Sequence, residues 1–216
     1  MISLTPTTAT LFSTQSVQLT ATDSRGASDV LWTVPGNSGA TVDSTGNFTA
    51  STVTTTTVIT VTATSQHDPS KFATAAITIY PSGQVTQTAN PQVALYTLNL
   101  PAGTNAYIQF STDTSYNLKT WTLAAPATGP LTFFVAGMLA STQYHMQAVL
   151  PGVNGTMLTD VDHTFTTQAP TVQLPAITVT TTPGMTPQSG VEALALVNTT
   201  STAVPVVVAD LNGNVL

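Results

Sequence analysis

Short runs in which apolar and polar residues alternate recur along the whole chain, separated by clusters of Gly, Pro, Asn, Asp and Ser. A period of two sends successive side chains to opposite faces of an extended strand, and no helical period intervenes, so the chain is confined to sheets. In one run Val17, Leu19 and Ala21 share a face against Gln18, Thr20 and Thr22. In another, Ile59, Val61 and Ala63 stand against Thr60, Thr62 and Thr64. Threonine reinforces this reading: it is the commonest residue, 46 of 216, and its branched Cβ stiffens χ1 and suits a pleated surface. The predicted fold class is all-β, two tandem antiparallel β-sandwiches followed by a short β segment.

The first module is expected over residues 1–81, with strands at Ile2 to Leu4, Ala9 to Phe12, Val17 to Thr22, Val30 to Val34, Asn47 to Ala50, Val58 to Thr64 and Ala73 to Ile79. Trp32, flanked by Val30 and Val34, has the area to occupy the centre of its core. The segments ISLTPTTATLFSTQSVQLTAT, SDVLWTVPGNSGATVDSTGNFTA and ITVTATSQHDPSKFATAAITI, with a D-x-x-G turn at Asp43 to Gly46, resemble the bacterial Ig-like group 2 domain over its length. The resemblance implies an Ig-like sandwich in a bacterial protein that is secreted or held at the cell surface, and it implies no ligand.

Residues 82–90 read as a polar linker, and a second module follows over 91–168. Its expected strands are Val93 to Leu100, Ala106 to Phe110, Asn117 to Leu123, Leu131 to Val135, Gln143 to Val149 and His163 to Thr167. MLASTQYHMQA, Met138 to Ala148, resembles the entry to strand F of fibronectin type III domains, with Thr142 two residues before Tyr144. A tyrosine at such a corner packs its ring inward while its hydroxyl caps a backbone group of the crossing loop. Ala140 stands where the family usually has Pro, and Trp121 lies late.

Residues 169–216 read as a linker and an incomplete β-hairpin. Val191 to Val197 is open between strand and irregular segment, and Val204 to Leu216 reads as a strand, an Asn212-Gly213 turn and a short return. The order of modules, the loop TTTPGMTPQSGVEAL and VVVADLNGNVL together resemble the N-terminal region of acidobacterial arylsulfotransferase-type propeller proteins. That family's catalytic His and Arg cluster lie in later blades, so none of its catalytic residues can be carried onto this chain. The hairpin's strand is expected to be completed by a further domain, the second sandwich or a neighbouring copy.

Charged residues are 6% of the chain, and Arg25, Lys71 and Lys119 are the only Lys or Arg, too few for a phosphate-binding stripe; a nucleic-acid partner is excluded. No apolar run is long enough for a membrane span. Cysteine is absent, so no disulfide staples the fold. A signal peptide is not expected within these residues.

Candidate chemistry is sparse. His67, His145 and His163 form no metal-ligand pair by spacing and read as surface or strand-face residues. Asp160, Asp162 and His163 could take calcium with carbonyl help, although a solvated hairpin turn is the plainer reading. Asp23 to Asp29 is a second oxygen-rich loop, with Arg25 competing for it. No nucleophile elbow occurs, and with Glu192 the only Glu a carboxylate pair has little support. Lys119 alternates with Trp121 and is expected exposed instead of crosslinked. Asn47, Asn154 and Asn198 open N-x-T sequons, expected unmodified in a bacterial protein. The outward row Thr60, Thr62, Thr64 has the spacing to order water or meet a glycan, but one strand is not an array.

No catalytic, cofactor-binding or metal residues are therefore assigned, and no cofactor. The expected function is a non-catalytic extracellular or cell-surface module, structural or adhesive, that spaces or presents a partner domain. The alternatives are the accessory region of an arylsulfotransferase-like enzyme, or a filament subunit joined to other domains or its own copies through Val204 to Leu216. A surface glycan is a further candidate partner.

Overall fold

The computed structural model describes residues 1–24, 30–152, 156–170, 177–180, 183–184, 190–195 and 206–215. The described residues contain strands and no helix. In the first sandwich one layer holds β1 (Ile2–Thr5) paired with β4 (Thr20–Asp23), beside β3 (Ser16–Gln18), β7 (Asn47–Thr49) and β6 (Thr41–Val42) in the order β3-β7-β6. The facing layer is β2 (Thr8–Phe12), β9 (Phe72–Tyr80), β8 (Thr57–Ser65) and β5 (Val30–Thr33), in the order β2-β9-β8-β5. Leu19, Phe48, Val61 and Ile77 are fully buried between the layers.

Each of the expected runs of this module forms strand, with three departures. Pro6 lacks an N–H and ends the ladder of β1, after which the chain crosses to the other layer and β2 runs parallel to β9, where only antiparallel pairing was expected. The run 17–22 is split at Leu19, whose N–H donates to Gly46 O at 2.9 Å instead of to a ladder partner. Trp32 is half-buried at the margin of the core, its ring against Gly46, and the centre belongs to Phe48 and Leu19. A Cβ on Gly46 would lie 2.4 Å from Leu19 O and 2.7 Å from Trp32 Cζ2, and its φ is +88°, so only glycine serves there.

The second sandwich sets β10 (Gln84–Gln87), β11 (Ala94–Leu98) and β15 (Leu131–Val135) against a sheet around β12 (Asn105–Ser111) and β16 (Gln143–Pro151). β12 carries β13 (Leu118–Lys119) and β14 (Leu123–Ala124) on its edge, and β16 carries β17 (Met157–Thr159) and β18 (His163–Thr166). Tyr96, Ile108, Met138 and Met146 fill the core. The tyrosine corner is present: Tyr144 is buried and its hydroxyl accepts the Leu139 N–H at 3.0 Å. β10 lies inside the stretch 82–90 that reads as linker, because its single apolar residue, Val85, gives no visible alternation.

The last described elements are β19 (Val191–Ala195) and β20 (Val206–Asp210), antiparallel over their full length, with Val215 bridged to Ala209 on the other side. The strand expected to stand with only a short return is thus paired along one edge by β19. Asp210 Oδ1 accepts the Asn212 and Asn214 N–H groups at 2.9 and 2.8 Å, and Gly213, at φ +83°, closes the turn. Gln92 Nε2 donates to Met138 O at 3.3 Å and Val215 O at 3.2 Å, tying this turn to the second sandwich. Val204, Pro205 and Leu216 of the expected hairpin lie outside the described residues.

Candidate functional site at the junction of the sandwiches

Outward-facing residues at the end of the first sandwich should be polar, yet β2 ends in Phe12 and β9 in Tyr80, opposite each other in register. Both side chains pack on the core of the second sandwich. Phe12 is fully buried within its core cluster, with Tyr80 packed on that cluster and the two rings edge-to-face at 6.1 Å. Beside them Gln15 Oε1 accepts the Phe12 N–H at 2.9 Å, while Gln15 Nε2 reaches across to donate to Thr159 O at 2.7 Å. Thr14, with φ +68°, sits in the turn between them, a strained setting for a β-branched residue that the surrounding bonds hold in place.

A third tie comes from Asp160, 2% exposed, in the loop between β17 and β18. Its Oδ2 accepts the Gly83 N–H at 2.6 Å and the Tyr96 O–H at 2.8 Å, with His163 Nε2 at 3.3 Å, and its Oδ1 accepts the Val161 N–H at 2.8 Å. A buried carboxylate is tolerated only when its lone pairs are so occupied. Burial, and then the Asp160 charge, push the Tyr96 phenol far above its ordinary range, which keeps it a donor. Gly83 is held against the Tyr96 ring: a Cβ there would fall 2.1 Å from Tyr96 Cε1. The network fixes the connecting segment to the second sandwich.

The acidic cluster that reads as a solvated turn or calcium loop therefore divides. Asp160 is a buried anchor, corrected from solvated because Gly83 and Tyr96 arrive from distant sequence. Asp162 stays near the surface, accepting the Tyr116 O–H at 2.8 Å and meeting His145 Nδ1 at 2.7 Å. Burial and the bond to Asp162 push the Tyr116 phenol up to about 12. No group of three or more His, Cys, Asp or Glu among the described residues is placed to hold a metal. In the second oxygen-rich loop Asp23 is buried and accepts the Ser65 hydroxyl; residues 25–29 lie outside the described residues.

His67 is exposed between β8 and β9, Glu192 is exposed on β19, and Asn47 lies in β7. Asn154 and Asn198 lie outside the described residues. Lys119 is exposed, its Nζ 6.0 Å from the Tyr107 ring centroid. Sequence reasoning missed Phe12, Gln15, Gly83 and Tyr96 as junction residues. The one local signal was an aromatic residue at the outward position of both β2 and β9. Between the sandwiches a cleft of about 720 Å³ opens, lined by uncharged residues that include Thr14, Thr52, Val53, Gln84, Asn99 and Pro130.

Residues 1–75 match the profile of the bacterial Ig-like domain, group 2. No curated protein sequence matches the chain. Among solved structures, it is similar to domains of titin (14% identity, 77% of this chain and 65% of that one, TM-score 0.27). It is also similar to a tetra-tandem repeat in the extending region of a large adhesion protein (18% identity, 74% and 49%, TM-score 0.30). A third is the FN1-FN3 domains of chicken CNTN1 (11% identity, 76% and 64%, TM-score 0.31). The chain spans under two thirds of the length of each of these three. No described helix is long and apolar enough to cross a membrane.

Proposed function

We propose that this chain is a non-catalytic extracellular spacer, a pair of sandwiches that holds whatever is joined to it at a fixed distance and orientation. The observation that carries the reading is the three-point junction: Phe12 in the neighbouring core, Gln15 bonded to Thr159, and Asp160 holding Gly83. Tandem domains joined by a polar linker alone reorient freely. Three ties of different chemistry oppose both bending and twisting. The group 2 Ig-like match over residues 1–75 and the charge-poor, threonine-covered surface support an extracellular setting.

The absence of cysteine allows a direct test, because Thr60→Cys with Thr132→Cys would place two unique spin labels on exposed positions of the two sandwiches. Pulsed electron paramagnetic resonance is expected to give one narrow distance distribution, broadening when Gln15→Ala and Asp160→Ala are added. A broad distribution in the otherwise unaltered chain would remove the spacer reading.

A further inference from the structure

The sheet β2-β9-β8-β5 uses only its base, Phe12 and Tyr80, at the junction; the rest of its outward face is open. Register converts the single threonine row legible in β8 into a two-dimensional array. Thr33, Thr62 and Thr74 stand abreast on β5, β8 and β9. The next rank is Thr60, Ala76 and Thr8, and the one after it Val58, Thr78 and Thr10. At the far end Thr64 lies between Leu31 and Phe72. Eight of these twelve positions are threonine and none is charged.

Such a face has two repeats, about 4.8 Å between strands and about 6.8 Å between same-face residues along a strand. Each threonine presents one hydroxyl and one methyl on a side chain with few χ1 choices, so donors, acceptors and apolar points recur at nearly fixed positions. Both repeats lie close to oxygen spacings in hexagonal ice. A charge would gather its own oriented hydration shell and break the pattern. Here there is none. We propose that this face adsorbs to ice, its methyls and hydroxyls together ordering a water layer that merges with the crystal.

A planar polysaccharide would call for a row of aromatic platforms, and only Phe72 offers one, at the edge of the array. A protein partner would call for a contiguous apolar centre, whereas Leu31, Phe72 and Val58 lie at the margins. The right-handed twist of roughly 20° per strand confines the lattice match to a few strands, so the expected activity is inhibition of ice recrystallisation with little freezing-point depression.

The test freezes the whole chain slowly onto a cold surface and follows its entry into the ice, with a recrystallisation assay alongside. The parent is expected to enter the ice and to keep crystals small. Thr62→Lys, at the centre of the array, is expected to lose both effects, and Thr132→Lys, on the second sandwich, to lose neither. Melting by circular dichroism shows that each variant is folded; if Thr62→Lys is not, Thr74→Lys replaces it. Exclusion of the parent from ice, or full activity in a folded Thr62→Lys or Thr74→Lys protein, overturns the proposal.

Discussion

Asp160 shows how much one side chain can organise when it is buried and accepts from several donors at once. Truncating it removes the partner of the Tyr96 hydroxyl and of the Gly83 N–H together. A buried donor left without an acceptor costs about 1–3 kcal/mol, so Asp160→Ala is expected to lower the stability of the second sandwich by about 2–5 kcal/mol in urea unfolding. Tyr96→Phe leaves Gly83 paired and should cost less. Equal losses for the two variants would mean that the carboxylate does not serve the connecting segment. The sequence does not reveal this site, because Asp160 and Gly83 are 77 positions apart and nothing in DVDH separates a buried aspartate from an exposed one.

At the level of elements, one turn is built twice. Asp43 Oδ1 accepts the Thr45 and Asn47 N–H groups at 2.8 and 3.0 Å, with Gly46 in the left-handed region, and Asp210 repeats this with Asn212, Gly213 and Asn214. The bond from the Thr45 hydroxyl, and then the Asn47 N–H, hold the Asp43 carboxyl below its usual range; the Asn214 side chain, followed by its N–H, does the same for Asp210. A carboxyl whose pKa is depressed by folding contributes stability above its unfolded pKa of about 3.9, and that contribution is lost as pH falls through the lower, folded value. Asp43→Ala should therefore melt below the parent at neutral pH, with the gap closing in strong acid; a gap that persists there would assign the loss to turn geometry alone. Both turns were legible as D-x-x-G, and the strands were legible wherever alternation is local. The run 117–123 was not. Gln109 pairs with Lys119 while Ala106 pairs with Leu123, so the edge strand gains a residue over its partner, and Trp121 is 90% exposed where alternation would have placed it in a strand. β10 was missed for want of a second apolar residue, and the parallel pairing of β2 with β9 because period two is indifferent to strand direction.

For the whole molecule the informative residue is Phe12, which belongs to a strand of one sandwich and to the core of the other. A side chain so placed couples two folding units, since the second core is complete only while β2 is held on β9. Truncating a fully buried Phe costs about 3–5 kcal/mol, and here the cost should fall mainly on the second sandwich, because the first core cluster of Leu19, Phe48, Val61 and Ile77 does not include Phe12. In calorimetry Phe12→Ala is expected to lower the melting of the second sandwich and to separate it from that of the first. Phe48→Ala, buried in the first core alone, should destabilise the first sandwich directly and the second only through the loss of Phe12 when β2 comes away. If Phe12→Ala instead lowered only the first transition, the shared core would not be an energetic unit, and the orientation of the sandwiches would rest on the Gln15 and Asp160 contacts alone.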